Sequence, residues 1–265
     1  MAPTEPTLWQ LPVSHYSEKA RWALAHKGIA HRRRSPLPGS HMAVALTLTR
    51  GKENTFPILQ LDGRTIGDST AIVAALEQRF PDPPLYPSDP EQRRRALELE
   101  EFFDEELGPY ARLLPFHELV NEPEIFAEVA ADAVPGPLGK VKPVVGLYAR
   151  TYTSLRFGVK DAGAAQTARE KIVAAIDRLD AELAANGSGY LVGESFSVAD
   201  LTAASLFYPL VMPPEGPLSQ GLPVPPAFES FRDGIRDRAG FKWVEEMFRR
   251  HRRPARAAAA SAATQ

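Results

Sequence analysis

The run TFPILQLDGRTIGDSTAI (Thr55–Ile72) decides how the first part of this chain folds. TFPILQL is rich in strand-forming side chains and ends at Asp62-Gly63, a dipeptide that favours a two-residue hairpin turn. Arg64-Thr65-Ile66 then returns antiparallel. Asp68-Ser69-Thr70 brings the residue types that start helices, because a short polar side chain can accept from an otherwise unpaired N–H of the first turn. Ile72, Val73 and Leu76 supply the apolar stripe of that helix, and Phe80-Pro81 ends it.

Upstream, Thr7–Val13 reads as a strand that ends near Pro12. Ser14-His15-Tyr16-Ser17 opens a helix in which Ala20, Ala23, Leu24 and Lys27 recur at helical spacing, with Gly28 as its stop. Ile29–Ser35 is a second strand, placed at a sheet edge by its arginines. A Pro/Gly/Ser loop and a weak helix over about residues 41–48 lead back to Thr55. The order is βαβαββα, a thioredoxin-like arrangement. Downstream, PDPPLYPSDP (Pro81–Pro90) reads as an extended linker. No strand pattern follows it. Glu91–Leu114 is expected as one helical run with Leu97, Phe102, Phe103 and Leu107 facing inward, and Glu122–Gly163 as broken helices. Thr167–Ala185, Ser197–Val211 and Phe241–Arg250 are further helices, the first broken by Gly187 and Gly189. The expected organisation is an α/β domain over residues 1–81, a linker over 82–90, an all-α domain over 91–250 and a disordered tail over 251–265.

The 265 residues carry a formal net charge of −2, so no global field points to nucleic acid. No segment approaches the ~20 apolar residues of a membrane span, and the opening residues show no leader pattern, so the expectation is no membrane partner and a cytoplasmic address. There is no cysteine, which excludes disulfides, zinc–cysteine sites and a cysteine nucleophile, so any thiol must come from outside. The six histidines show no metal-ligand spacing, and no metal is expected.

Four stretches, in order, resemble the glutathione transferase family of the cytosolic, serine-type kind. Ser14-His-Tyr-Ser-Glu-Lys-Ala-Arg21 is similar to its Ser/Cys-Pro-aromatic-x-x-Lys/Arg-x-Arg motif at the first helix, with His15 in place of the usual proline. Thr55-Phe56-Pro57-Ile58-Leu59 is similar to the family's Val-Pro-x-Leu strand, Asp68-Ser69-Thr70-Ala71-Ile72 to its Glu/Asp-Ser-x-Ala-Ile turn, and Ser197-Val198-Ala199-Asp200 to its Ser-x-Ala-Asp capping box. The resemblance implies glutathione or another small thiol as co-substrate, a small-molecule electrophile, and a homodimer.

Chemistry assigns the parts. A thiol of pKa ~8.5 is mostly protonated at neutral pH, whereas a helix N-terminus with an added hydroxyl donor favours the thiolate. Ser14 stands where that donor is needed, although its hydroxyl is also wanted as the N-cap. Tyr16 fills the aromatic slot of the motif and is expected to pack, and His15 is given no role. The resemblance makes Phe56-Pro57 a cis-proline corner that turns the Phe56 backbone toward the ligand's cysteinyl peptide. Ser69 and the N–H groups of its helix suit the carboxylate of a γ-glutamyl group, and Asp68 its ammonium. His41, Lys52 and Asn54 lie near the glycyl end but are expected at the surface. Phe116, His117, Tyr148, Tyr152 and Phe157 are candidate walls for the second substrate, and the basic run 249–256 reads as a solvated helix end. The leading expectation is a thiol transferase. Thiol-dependent isomerisation or dehalogenation and a non-catalytic interaction module on the same fold are the alternatives.

Overall fold

The computed structural model describes residues 5–37, 40–132, 141–157, 159, 161–218 and 220–252. Strands β1 (Thr7–Trp9), β2 (Arg32–Arg34), β3 (Ile58–Leu61) and β4 (Arg64–Gly67) form one sheet in the order β2-β1-β3-β4. β2 runs parallel to β1, and β3 and β4 run antiparallel to their neighbours. Helices α1 (His15–His26), α2 (Ser40–Thr49) and α3 (Ser69–Arg79) complete the thioredoxin-like domain, and beyond it the regular elements among the described residues are helices alone. The hairpin forms as expected: Leu61 pairs with Arg64, and Asp62 and Gly63 both take positive φ, 48° and 77°. β2 is an edge strand with all three arginines exposed.

β1 ends at Trp9, earlier than expected, because the chain turns toward the helix start before Pro12, which has no N–H to give a ladder. The linker is held rather than loose. Lys27 Nζ donates to the carbonyls of Phe80 (2.7 Å) and Pro83 (2.9 Å) and pairs with Glu77 at 2.6 Å. Glu77 in turn accepts from the backbone N–H groups of Leu85 and Tyr86. The Leu85 side chain is buried, and its carbonyl accepts from Val198 N at 2.8 Å.

The expected single helical run over 91–114 is two helices, α4 (Pro90–Glu106) and α5 (Gly108–Asn121), separated at Leu107. Pro109 cannot donate to the preceding turn and so starts a new helix instead. Leu97 points outward; the inward face of α4 is Ala96, Leu99, Glu100 and Phe103. Within the stretch expected as broken helices the described residues form α6 (Pro123–Asp132) and α7 (Lys142–Phe157), and α8 (Ala162–Asn186) ends at Gly187 in the left-handed region (φ 67°). α9 (Val198–Val211) is apolar on nearly every side, packs against α1, α4, α5 and α11, and forms the centre of the main core. Asp200 closes its capping box, accepting from the backbone and hydroxyl of Ser197 and from Leu191 N, each at 2.8 Å. α10 (Pro226–Ile235) was not foreseen; its proline-rich approach masks a short amphipathic helix that buries Phe228, Arg232 and Ile235. α11 (Ala239–His251) buries Phe241, Trp243, Val244, Met247 and Phe248. Of the expected tail, His251 closes α11 and Arg252 is buried; the remainder lies outside the described residues.

Candidate functional site

The N-termini of α1 and α3 and the Phe56-Pro57 corner converge on one cavity of about 840 Å³ between the sheet domain and the helices. Ser14, Phe56, Pro57, Asp68 and Ser69 all line it. The Phe56-Pro57 bond is cis.

Ser14 is the N-cap of α1, with extended backbone, and its Oγ accepts from Ser17 N at 3.3 Å. Capping uses a lone pair of the oxygen and leaves the hydroxyl proton to donate elsewhere. The two roles foreseen for this hydroxyl therefore do not compete. Tyr16 also lines the cavity, but its hydroxyl is engaged there: it donates to the Asp104 carbonyl at 3.1 Å, and burial, with the Asp104 charge adding, pushes the phenol well above its ordinary pKa.

His15, given no role from the sequence, is fully buried against α5, its Nε2 2.9 Å from the Gly108 carbonyl. Burial, then the Arg112 charge, lower its pKa from 6.5 to about 3 against the pull of that carbonyl. It is thus neutral at pH 7, with Nε2–H as the donor, since a carbonyl can only accept. Gly108 has no room for a side chain: a Cβ there would overlap the Tyr16 hydroxyl. Together His15 and Tyr16 dock the start of α1 onto the junction of α4 and α5. The signal for this in the sequence was His15 in the proline slot, whose ring adds a donor at that turn.

At the second helix start, Asp68 takes a positive φ of 66°, and its Oδ1 accepts from Ala71 N at 3.0 Å. Non-glycine residues held in such a conformation cost about 1–3 kcal/mol and cluster at ligand sites. Ser69 is 1 % exposed, and its Oγ has no hydrogen-bond partner among the described residues. One residue on, the Thr70 hydroxyl accepts from Lys19 Nζ at 2.7 Å. Lys19 is itself buried and also pairs with Glu100 and Asp104, both at 3.0 Å, tying α1, α3 and α4 together beneath the cavity.

His41 corrects the expectation of a surface residue: it is 4 % exposed, lines the cavity, and lies against Phe56 and Tyr152 with ring centroids 5.8 and 6.0 Å away. Its place on the inner face of α2 follows from the helix starting at Ser40. Lys52 and Asn54 are exposed as expected. Of the expected second-substrate walls, Phe116, Tyr148 and Tyr152 line the cavity, together with Leu119, Phe126 and Phe228. His117 is not part of the lining, and its Nδ1 meets the Val159 carbonyl at 2.6 Å. The Phe157 side chain lies outside the described residues. Among the described residues no group of three or more potential ligands could hold a metal ion, and no helix is long and apolar enough to cross a membrane.

A thioredoxin-like sheet domain that shares a cleft with an all-helical domain is the two-domain architecture of glutathione-transferase-fold proteins. The N-terminal domain model of the glutathione S-transferases matches residues 8–84, and their C-terminal domain model matches residues 147–233. The chain belongs to the glutathione S-transferase family. Among solved structures, beta-etherase LigF from Sphingobium sp. strain SYK-6 aligns with 92 % of this chain and 99 % of its own at 21 % identity and a TM-score of 0.59. A glutathione S-transferase from Xanthobacter autotrophicus Py2 aligns with 92 % of both chains at 17 % identity and a TM-score of 0.60. A theta class glutathione S-transferase from Xanthomonas axonopodis pv. citri, crystallised with glutathione bound, covers 90 % of this chain and 95 % of its own at 20 % identity and a TM-score of 0.54. At these identities the likeness is one of fold.

Proposed function

We propose that this chain is a glutathione-dependent transferase that lowers the pKa of the bound thiol and directs the thiolate at an apolar electrophile. The observation that carries the reading is Ser69. A buried hydroxyl without a partner is unfavourable, and this one stands at a helix N-terminus in the wall of the cavity that Ser14 also lines. A γ-glutamyl carboxylate would satisfy it together with the first N–H groups of α3. Asp68, with one oxygen engaged by Ala71 N and the other available, meets the ammonium. The Phe56 backbone takes the cysteinyl peptide as an added strand, which brings the sulfur to the N-terminus of α1, where Ser14 donates to it. The sulfur then bonds to the electrophilic carbon of a molecule held by Phe116, Tyr148 and Tyr152, and the leaving group departs with the bonding pair. The glutathione-bound Xanthomonas relative supports the choice of thiol.

Titration calorimetry with glutathione, followed by ultraviolet absorbance of the bound thiolate against pH, tests this. Ser14→Ala removes one hydrogen bond to a charged sulfur, about 1.5–3 kcal/mol, and should raise the pKa of the bound thiol by roughly one to two units. No heat and no thermal shift at millimolar glutathione would refute the reading in favour of a non-catalytic interaction module. A cytoplasmic homodimer belongs to the same proposal, and light scattering on the purified protein tests the dimer.

A further inference from the structure

The motif that begins at Ser14 ends in two basic residues, Lys19 and Arg21, that the proposed reaction does not use. Lys19 is spent on Glu100, Asp104 and Thr70. Arg21 instead reaches back to the turn that carries Ser14. Its Nη2 donates to the Pro12 carbonyl at 2.9 Å, and its Nη1 to Gln10 Oε1 at 2.8 Å and, at the long limit of 3.5 Å, to the Leu11 carbonyl. Tyr208, from the last turn of α9, donates to the next carbonyl, that of Val13, at 2.6 Å. Three successive carbonyls before Ser14 are therefore held from outside the turn. The Leu11 N–H is held as well, by Ser17 Oγ at 3.3 Å.

Arg21 is in turn fixed. Its Nε pairs with Glu18 Oε2 at 2.6 Å, and the other oxygen of Glu18 is bonded by Arg252, just past the last turn of α11. Arg21, Glu18 and Arg252 are 3, 0 and 9 % exposed. Burial opposes the Glu18 charge, but the two guanidiniums and their hydrogen bonds outweigh it and hold the carboxyl below its ordinary pKa. A buried ion cluster of this kind is weak evidence of stability, because apolar side chains of the same shape often serve as well. What distinguishes this one is where its remaining donors go. β1 has ended at Trp9, and Pro12 has no N–H, so the segment before Ser14 has little ladder pairing of its own.

We propose that Arg21, locked by Glu18 and Arg252, is a positioning residue that sets the direction of the Ser14 hydroxyl and so the acidity of the bound thiol, which makes the end of α11 part of the apparatus of the site. The proposal rests on the reading of Ser14 as the donor to the thiolate.

The test follows the ultraviolet absorbance of bound glutathione thiolate against pH, with kcat and KM, in Arg252→Gln, Arg252→Lys, Tyr208→Phe and Ser14→Ala. Asp180→Asn is the control; it loosens the opposite end of α11, where Asp180 accepts from Gly240 N and Arg238, without touching the chain to Ser14. Arg252→Gln should raise the bound thiol pKa by about 0.5–1 unit and lower kcat at neutral pH about three- to tenfold, with recovery at higher pH and a KM for glutathione within about twofold. Arg252→Lys should restore part of the loss, and Tyr208→Phe should shift the pKa in the same direction. Asp180→Asn should lower the melting temperature and leave the pKa alone. If Arg252→Gln does not fold, Arg252→Lys and Tyr208→Phe decide. Wild-type thiolate pKa values in the Arg252 and Tyr208 variants, beside a shifted Ser14→Ala, would overturn this proposal alone. An unshifted Ser14→Ala, or no thiolate in the wild type, would overturn the Ser14 reading and this proposal with it.

Discussion

Acidifying the protein from pH 7 to pH 5 should weaken the fold through His15 in particular. In the unfolded chain this histidine titrates near 6.5; in the fold, burial and the neighbouring Arg112 hold it at about 3. The unfolded chain therefore takes up the proton first. The contribution of His15 is fully present above pH 6.5 and drains away as the pH falls toward 3. Evaluated between pH 7 and pH 5, that separation amounts to about 2 kcal/mol, or about 4–8 °C of melting temperature for a chain of this size. His15→Gln keeps an N–H donor for the Gly108 carbonyl but cannot titrate. Urea denaturation of wild type and His15→Gln at pH 7, 6 and 5 isolates the effect, because the carboxylates and the remaining histidines, including half-buried His31, whose pKa is also lowered, are common to both proteins. The wild-type advantage should shrink by about 2 kcal/mol across that range. A difference that stays constant with pH would mean that His15 is not held neutral, and the docking of α1 on α5 would have to be explained otherwise.

Ser69→Ala should separate binding from stability. Stability by denaturant should stay level or rise, since an unpartnered hydroxyl is removed, while calorimetry should show glutathione affinity about ten- to a hundredfold weaker. Tyr16→Phe should leave the pKa of the bound thiol unchanged and lower stability by about 1 kcal/mol, the worth of its bond to the Asp104 carbonyl. Gly108→Ala should destabilise by about 1–3 kcal/mol in a thermal melt, because the Tyr16 ring has to move. Asp200→Ala removes three hydrogen bonds at the start of the central helix and should destabilise by about 3 kcal/mol or more, with no effect on the affinity for glutathione of the protein that remains folded.

Local chemistry was legible wherever a single residue type decides the outcome. Asp62-Gly63 specifies its hairpin because both positions need positive φ, and Gly187 stops α8 for the same reason. The helix starts at Ser14, Asp68 and Ser197 could be read from their capping side chains. What escaped depends on partners far along the chain. Leu97 fits the apolar stripe of α4 as well as Leu99 does, and only the packing of α8 and α9 decides which of them is covered. His41 lies in a stretch of weak helical signal, yet it becomes a wall of the cavity because α2 packs beside Phe56 and Tyr152. The role of His15 needs Gly108, 93 residues away, and that of Arg252 needs Glu18, 234 residues away; no spacing rule reaches so far.

The ionic clasp of Lys27 and Glu77 on the linker bears on the thermodynamics of ligand capture. By tying the ends of α1 and α3 to the peptide that leads into α4, it opposes rotation of the sheet domain away from the helices and so favours a cleft whose width changes little when a ligand enters. A ligand then finds its contacts already arranged, and the ordering entropy of association falls on the ligand's own rotors rather than on the protein. The heat-capacity change on binding is accordingly expected to follow the apolar surface that the ligand covers, with little added by domain closure.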